Sequence, residues 1–130
     1  MSNRIRFRNE RGQTMTEFAL VLPILAVLLF GVIQFGIVFN NYVTLTDAVR
    51  AGARKGAVGR FGANPVGDVQ TAVKNSAGGL NQSQLSISVS SSWAAGSDVS
   101  VTATYPYSIS LLGLVVKAGR LSSKTTERVE

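Results

Sequence analysis

Residues 18–39 decide the fold, because the segment FALVLPILAVLLFGVIQFGIVF is 22 residues long and carries no charge. One proline, two glycines and one glutamine are its only interruptions. A helix crosses the hydrocarbon core of a bilayer with about 20 apolar residues, so this segment is long enough to span a membrane. A buried helix of a small soluble domain should show a polar face, and this one shows none. The sequence therefore predicts one membrane-spanning helix near the N-terminus.

A cleaved secretory signal is the second alternative to a spanning helix, after a buried core helix. The apolar region of a signal peptide is about 7 to 15 residues long and ends at a small-residue cleavage site. The segment here is longer, and the nearest sequence of that kind is Ala51-Gly52-Ala53, well past its end. The length of the segment favours the membrane span over both alternatives.

The distribution of charge predicts the orientation of the span. The net charge is +6, and half of it lies in residues 1–12, which hold four arginines and one glutamate. Three basic residues also follow the span: Arg50, Arg54 and Lys55. Because basic residues accumulate on the cytoplasmic side and the arginines of the leader lie closer to the lipid, we expect the N-terminus inside and the C-terminal domain outside. No aromatic residues interleave with the outer basic cluster, which argues against a nucleic-acid partner.

The chain contains no cysteine and no histidine. These absences exclude disulfides and thiolate metal sites, and they remove the commonest general base and the commonest metal ligand. No nucleophile-elbow, P-loop or dinucleotide-binding sequence is present. We therefore predict no enzyme, no cofactor and no metal. An extracytoplasmic enzyme that uses Asp68 and Asp98 as a carboxylate pair is the least favoured alternative.

The apolar run continues without a break into residues 40–58, where the helix is predicted to leave the membrane and become amphipathic. Its apolar positions recur at steps of three and four. They are Tyr42, Leu45, Val49, Gly52, Ala53 and Gly56. Asp47 and Arg50 share the opposite face at a pairing distance. We expect one long helix over residues 13–58, beginning around Thr14.

A second, shorter helix is predicted after a glycine-containing break that follows residue 58. Asn64 is a suitable N-cap, and Pro65 fits the first helical position. The apolar stripe of this helix consists of Val66, Val69, Val73 and Ala77. Gly78-Gly79 is predicted to end the helix.

Alternation of apolar and polar residues then predicts a small antiparallel sheet. The first strand covers residues 85–92, and the second covers residues 99–105 and is closed by Pro106. Residues 121–129 are predicted to add an edge strand, whereas the pattern does not determine the form of residues 108–119. The predicted fold is therefore α+β, with a basic leader (1–12), a long helix (13–58) and a small extracytoplasmic domain (59–130).

The start of the long helix carries the most informative local sequence, from Arg11 to Phe18. Thr14 and Glu17 have the spacing of a capping box, in which Glu17 would return a hydrogen bond to the first turn. If the chain were cut after Gly12, Gln13 would gain a charged amine one helical turn from Glu17. An acid at the membrane boundary is unfavourable unless it is paired, so the amine of a neighbouring copy could pair with Glu17. The cap and the assembly role both remain open here.

Gly12, followed five residues later by Glu17 and an apolar helix, resembles the processing site of type IV prepilins and pseudopilins. The run from Arg11 through Pro23 is more closely similar to the TadE-like family, pilin-like proteins of bacterial tight-adherence (Tad) pilus and secretion systems. Residues 45–54 and 125–130 also fit that family. The resemblance implies a pilin-like fold and an inner-membrane protein that functions in secretion or cell adhesion through a pilus.

The same resemblance implies partners and a processing site. A membrane prepilin peptidase would cut between Gly12 and Gln13, and the cut chain would assemble with copies of itself or with other pilin-like subunits. Mature pilins usually begin with a hydrophobic residue, and Gln13 departs from that pattern. The alternative is an uncut single-pass anchor that presents a small extracytoplasmic binding module.

Two further sets of polar residues are candidate contact sites. Gln34 lies deep in the span, where it could hydrogen-bond to another subunit or to its own backbone. A basic girdle beyond the span consists of Arg50, Arg54, Lys55 and Arg60. It could contact lipid phosphates or acidic partner surfaces, or it could be a solvated face of the helix.

Overall fold

The computed structural model describes the backbone of residues 7–130 and the side chains from Glu10 onward. Two helices precede a three-stranded antiparallel sheet. The elements are α1 (Phe7–Ala57), α2 (Pro65–Ser76), β1 (Ser86–Ser91), β2 (Asp98–Leu111) and β3 (Leu114–Arg128). The predicted α+β fold, with a long N-terminal apolar helix, is confirmed.

Helix α1 begins at Phe7, seven residues before the predicted start at Thr14. Residues 7–12 of the predicted leader are therefore helical, while residues 1–6 lie outside the described part of the chain. The reason is local: the arginines and Glu10 that precede Gly12 are good helix formers. Gly12 weakens a helix but does not end one. The other end of α1, at Ala57, agrees with the predicted end at Val58.

The last third of α1 packs against the rest of the domain. Leu45, Ala48, Val49 and Ala53 are completely buried there, as the amphipathic pattern predicts. Close approach of α2 depends on a glycine, because a methyl group at Gly52 would overlap Cγ2 of Val73. This end of α1 is therefore the central element of the hydrophobic core.

The predicted start of α2 is also confirmed. The Asn64 side chain accepts a hydrogen bond from the backbone N–H of Gly67 at 3.1 Å, and Pro65 occupies the first turn. Val69 and Val73 are fully buried against α1 and the sheet. The caps thus place the valine stripe of α2 over the end of α1.

The sheet has the strand order β1-β2-β3, with β2 in the centre. Its register pairs Val89 with Val101 and Ile87 with Ala103. Alternate residues of β2 are buried against α1, namely Val99, Val101, Ala103 and Tyr105. The predicted hairpin and its inward face are confirmed.

The predicted end of the second strand at Pro106 is wrong, because β2 continues to Leu111. Strand β1 begins at Ser86, opposite Thr104, so beyond Thr104 β2 has no partner on that edge to which a backbone N–H at Pro106 would donate. Proline is tolerated at such an edge. The continuation of β2 pairs with β3 instead, where Pro106 lies opposite Arg120.

Strands β2 and β3 are joined by a two-residue turn at Leu112 and Gly113, with φ of 51° and 82°. Positive φ at both positions is the geometry of the tight hairpin turn whose twist matches that of the strands. We call residues 105–121 the β2–β3 ribbon and residues 111–116 the ribbon tip. The ribbon projects beyond β1. Residues 108–119, whose structure the sequence pattern did not determine, therefore form a β-hairpin.

The end of the chain joins the sheet to α1. The backbone N–H of Val129 donates to Ser97 O at 2.8 Å, and that of Glu130 donates to Ala57 O at 2.9 Å. Val129, which directly follows β3, is almost completely buried and belongs to the core. The carbonyl group of Ala57, the last residue of α1, thus has a partner outside the helix.

Candidate functional site

The bond between Gly12 and Gln13 lies on an open surface of α1. A side chain built at Gly12 would meet no described atom within 4 Å. The Gln13 side-chain amide donates to Glu17 Oε1 at 3.4 Å, and Thr16 Oγ1 donates to Gly12 O at 2.9 Å. The predicted processing and assembly residues Gly12, Gln13 and Glu17 therefore lie together on one exposed turn-and-a-half of helix.

The predicted capping box is wrong for the full chain. Helix α1 is already two turns long at Thr14, and the hydroxyl of Thr14 donates back to Glu10 O at 2.9 Å. Glu17 accepts instead from the Gln13 side chain. Because the first backbone N–H groups of the helix lie upstream, Glu17 gains nothing from the helix N-terminus here. A structural explanation of Glu17 as a cap is thereby removed for the uncut chain.

The apolar segment of α1 stands almost free of the domain. None of the residues in its most apolar window is buried, and Leu20 and Val32 are 68% and 70% exposed. The helix is long and apolar enough to cross a membrane. A continuous apolar surface of this kind is unfavourable in water and marks a contact with lipid or with other apolar helices.

One face of the segment is less exposed than the others. Four of its half-buried residues recur at steps of three and four along α1, namely Val27, Gly31, Gln34 and Val38, and Ala26 is half-buried beside them. Leu111 of the ribbon tip lies on the same groove as Gly31 and Phe35. The glutamine of the span therefore lies on the less exposed face, while its neighbours Ile33 and Phe35 are exposed.

The four basic residues beyond the span lie in different surroundings. Arg50, Arg54 and Lys55 are exposed on α1, whereas Arg60 is half-buried in the loop that follows. The guanidinium of Arg60 stacks 4.3 Å from the ring centre of Phe61, and its Nε is buried with no hydrogen-bond partner among the described residues. Asp47 and Arg50 make the predicted ion pair at 3.9 Å. Because both of its side chains are mostly exposed, that pair contributes little to stability.

The described residues contain no group of three or more acidic side chains that could hold a metal ion. Asp68 lies in the first turn of α2 and Asp98 at the start of β2, and both are exposed.

Sequence reasoning missed the ribbon tip as a surface feature. Four of its side chains, Leu112, Leu114, Val115 and Val116, are between 63% and 73% exposed. The only available signal was a run of apolar residues around Gly113 that lacked the usual Asn-Gly turn sequence.

Comparison with known proteins adds one match. Residues 12–54 match the family model described as TadE-like protein. No curated protein and no solved structure matches the chain. The matched segment begins at the candidate processing glycine, includes the span and ends at Arg54, so it lies wholly within α1. The resemblance of this chain to the TadE-like family is thereby confirmed over residues 12–54.

Proposed function

We propose that this protein is a pilin-like structural or assembly component of a Tad-type pilus or secretion apparatus, related to type IV pili. It is held in the bacterial inner membrane and assembles by packing of its N-terminal helix. The observation that carries the proposal is the 22-residue apolar segment of α1, which has no buried residue and is contained in the family match. Lipid can cover this surface before assembly, and the helices of neighbouring subunits can cover it afterwards.

Glu17 is the residue that would set the register between subunits. It stands at the edge of the span, where an unpaired acid is increasingly unfavourable with depth, by about 2.5 to 3.5 kcal/mol at the centre of a bilayer. A cut after Gly12 gives Gln13 a positively charged amine close to the same level of the helix. The amine of a neighbouring copy then offers Glu17 a partner of opposite charge.

The proposed cut requires a local opening of α1. Gly12 and Gln13 lie within the helix, only a few residues from its first described turn. Helix ends open at low free-energy cost, and the glycine lowers that cost further. A membrane prepilin peptidase can therefore reach the bond without disturbing the folded domain.

The basic residues beyond the span fit a protein partner better than lipid. Arg50 lies 11 residues past the end of the span at Phe39, which is about 16 Å along a helix. Arg54 and Lys55 lie further out. Charge interactions in solution fade over about 8 Å at physiological ionic strength. We therefore assign these cations to acidic surfaces of other subunits.

The intact mass of the protein from native membranes tests the processing step. We expect a chain that lacks residues 1–12 and begins at Gln13. A mass that retains Met1 would contradict the cut and would favour the anchor described below.

A substitution tests the assembly step. We expect Glu17→Ala to insert into the membrane normally, while its incorporation into filaments falls at least about tenfold, because a lost pairing of 1.4 kcal/mol corresponds to that factor. Glu10→Ala is the matched control, since Glu10 would leave with the leader. Normal incorporation of Glu17→Ala would contradict the role of this acid.

The second candidate is an uncut single-pass anchor that presents an extracytoplasmic binding module. The observation in its favour is that α1 runs without interruption through Gly12 and Gln13. The domain also has its own core, built from Leu45, Val69 and Val101. Recovery of the full-length chain, in membranes only and never in filaments, would support this function.

A further inference from the structure

The ribbon tip presents apolar side chains where a soluble domain would present polar ones. Leu112 and Leu114 are each 73% exposed, and Val115 and Val116 are exposed as well. The two leucines and two valines around this tight turn do not pack into the hydrophobic core of the domain. These side chains therefore require an apolar surrounding outside the domain.

The position of the tip along α1 shows which surrounding is available. Leu111 shares an open groove of about 400 Å³ with Val27, Gly31 and Phe35 of the span. Measured along the helix from Phe39, Phe35 and Gly31 lie about 6 and 12 Å below the outer end of the apolar segment. Segments that lie in a membrane interface are buried to about 5 to 10 Å. The tip is thus at the depth of the outer part of a leaflet.

The basic residues of the ribbon lie at and beyond the level of the outer end of the apolar segment. Lys117 lies three residues beyond Leu114, which is about 10 Å along a strand, and Arg120 lies about 10 Å further. Both side chains are exposed. When the tip is buried to the depth given above, Lys117 comes level with Phe39 at the end of the span. A lysine at that level can place its ammonium among lipid phosphates.

We propose that the ribbon tip, residues 111–116, dips into the outer leaflet of the membrane and forms a second lipid contact beside the span. Its occupant is lipid: acyl chains around the leucines and valines, and headgroup phosphates at Lys117. The inference rests on the membrane anchoring in the proposed function. It adds a fixed depth and rotation of the domain on the membrane surface, which a single helix cannot provide.

The backbone limits how far the ribbon can enter. Beyond Thr104, β2 has no partner on its outer edge, and β3 is an edge strand throughout. Unpaired backbone groups are costly in hydrocarbon, so a deep insertion is disfavoured. A shallow dip exposes only the few groups nearest the turn and buries the four apolar side chains.

A second copy of the chain is the competing occupant. Lipid is favoured because the tip continues the exposed apolar surface of α1 at the same level, and because Lys117 stands where phosphates would lie. A neighbouring helix would meet the same apolar side chains but would have no use for a cation at this boundary, since the span carries no acid there.

Single cysteines test the proposal without background, because the chain has none of its own. Leu114→Cys in the tip is compared with Val32→Cys in the span and with Ala95→Cys in the exposed β1–β2 turn. Each is labelled with a polarity-sensitive fluorophore in vesicles of phosphatidylcholine and phosphatidylglycerol that carry brominated acyl chains. We expect brominated lipid to quench the labels at Leu114 and Val32, and aqueous iodide to quench only the label at Ala95.

If brominated lipid still quenches the label at Val32, two results would contradict the insertion of the ribbon tip without contradicting the membrane anchoring. Quenching of Leu114 by iodide would place the tip in water, and protection from both quenchers would place it against another subunit. Failure of brominated lipid to quench Val32 would instead overturn the membrane anchoring, and this inference with it. Repetition at a large excess of lipid over protein, where copies are separated, must leave the Leu114 signal unchanged.

Discussion

The two halves of α1 share one unbroken helical backbone and lie in opposite surroundings. In residues 18–39 no side chain is buried and most of the large apolar ones are exposed, whereas Leu45, Val49 and Ala53 are completely excluded from water. The two halves differ because the second half is amphipathic: its apolar face packs in the core while its polar face stays in contact with solvent. The first half has no polar face, so a domain of this size cannot bury its apolar surface on all sides. One helix is thus a core element at one end and an assembly surface at the other.

The largest expected effect comes from a charge placed in the buried half. Val49→Asp should lower the free energy of unfolding of the domain by about 3 to 5 kcal/mol, because Val49 is fully buried and the new carboxylate has no partner. Denaturation in detergent, followed through the fluorescence of the half-buried Trp93, measures this. Val43→Asp is the control, since Val43 is 42% exposed on the same helix. Equal losses in both variants would remove the contrast between the two surroundings.

An intermediate effect on stability is expected when a glycine in the second half of α1 is replaced by alanine, and a glycine in the first half provides the comparison. Gly52→Ala should destabilise the domain by about 1 to 3 kcal/mol, because the added methyl overlaps Val73 and the core must shift. Gly31→Ala adds the same methyl where no described atom lies within 4 Å, so the domain should keep its stability. The same denaturation experiment compares them. A destabilised Gly31→Ala variant would mean that the span is packed more tightly than the structure describes.

The smallest effect on stability is expected on the solvent-exposed face of the second half of α1. Asp47→Asn removes the exposed ion pair with Arg50 and should change the free energy of unfolding by less than about 0.5 kcal/mol. Raising the salt concentration should have as little effect on the unmodified protein. A loss above 1 kcal/mol would show that this face is covered, which would sharpen the search for a partner there.

Much of the fold could be predicted because its signals are local. The N-cap at Asn64, the proline at 65 and the alternation in β2 each determine structure within a few residues, and all three are confirmed. The candidate processing residues were also readable, since their spacing along the chain is the signal. Residues 12–54 match the family model on the same segment.

Other features could not be read from local sequence. Pro106 does not end β2 because β1 does not extend along that edge as far as Pro106, which depends on the lengths of the strands and not on proline itself. Leu112 adopts a positive φ that leucine disfavours, and the pairing of β2 with β3 over many residues holds it there. Thr14 fails as a cap because the helix continues upstream of it.

The sequence by itself determined that this chain has one membrane-length apolar helix, followed by a small α+β domain, because apolar periodicity and local caps are properties of neighbouring residues. Only the tertiary structure decided which surfaces remain uncovered. It brought the ribbon tip, more than 70 residues away in the chain, level with the span at Gly31. Exposure depends on packing between distant segments, and no short stretch of sequence contains that information.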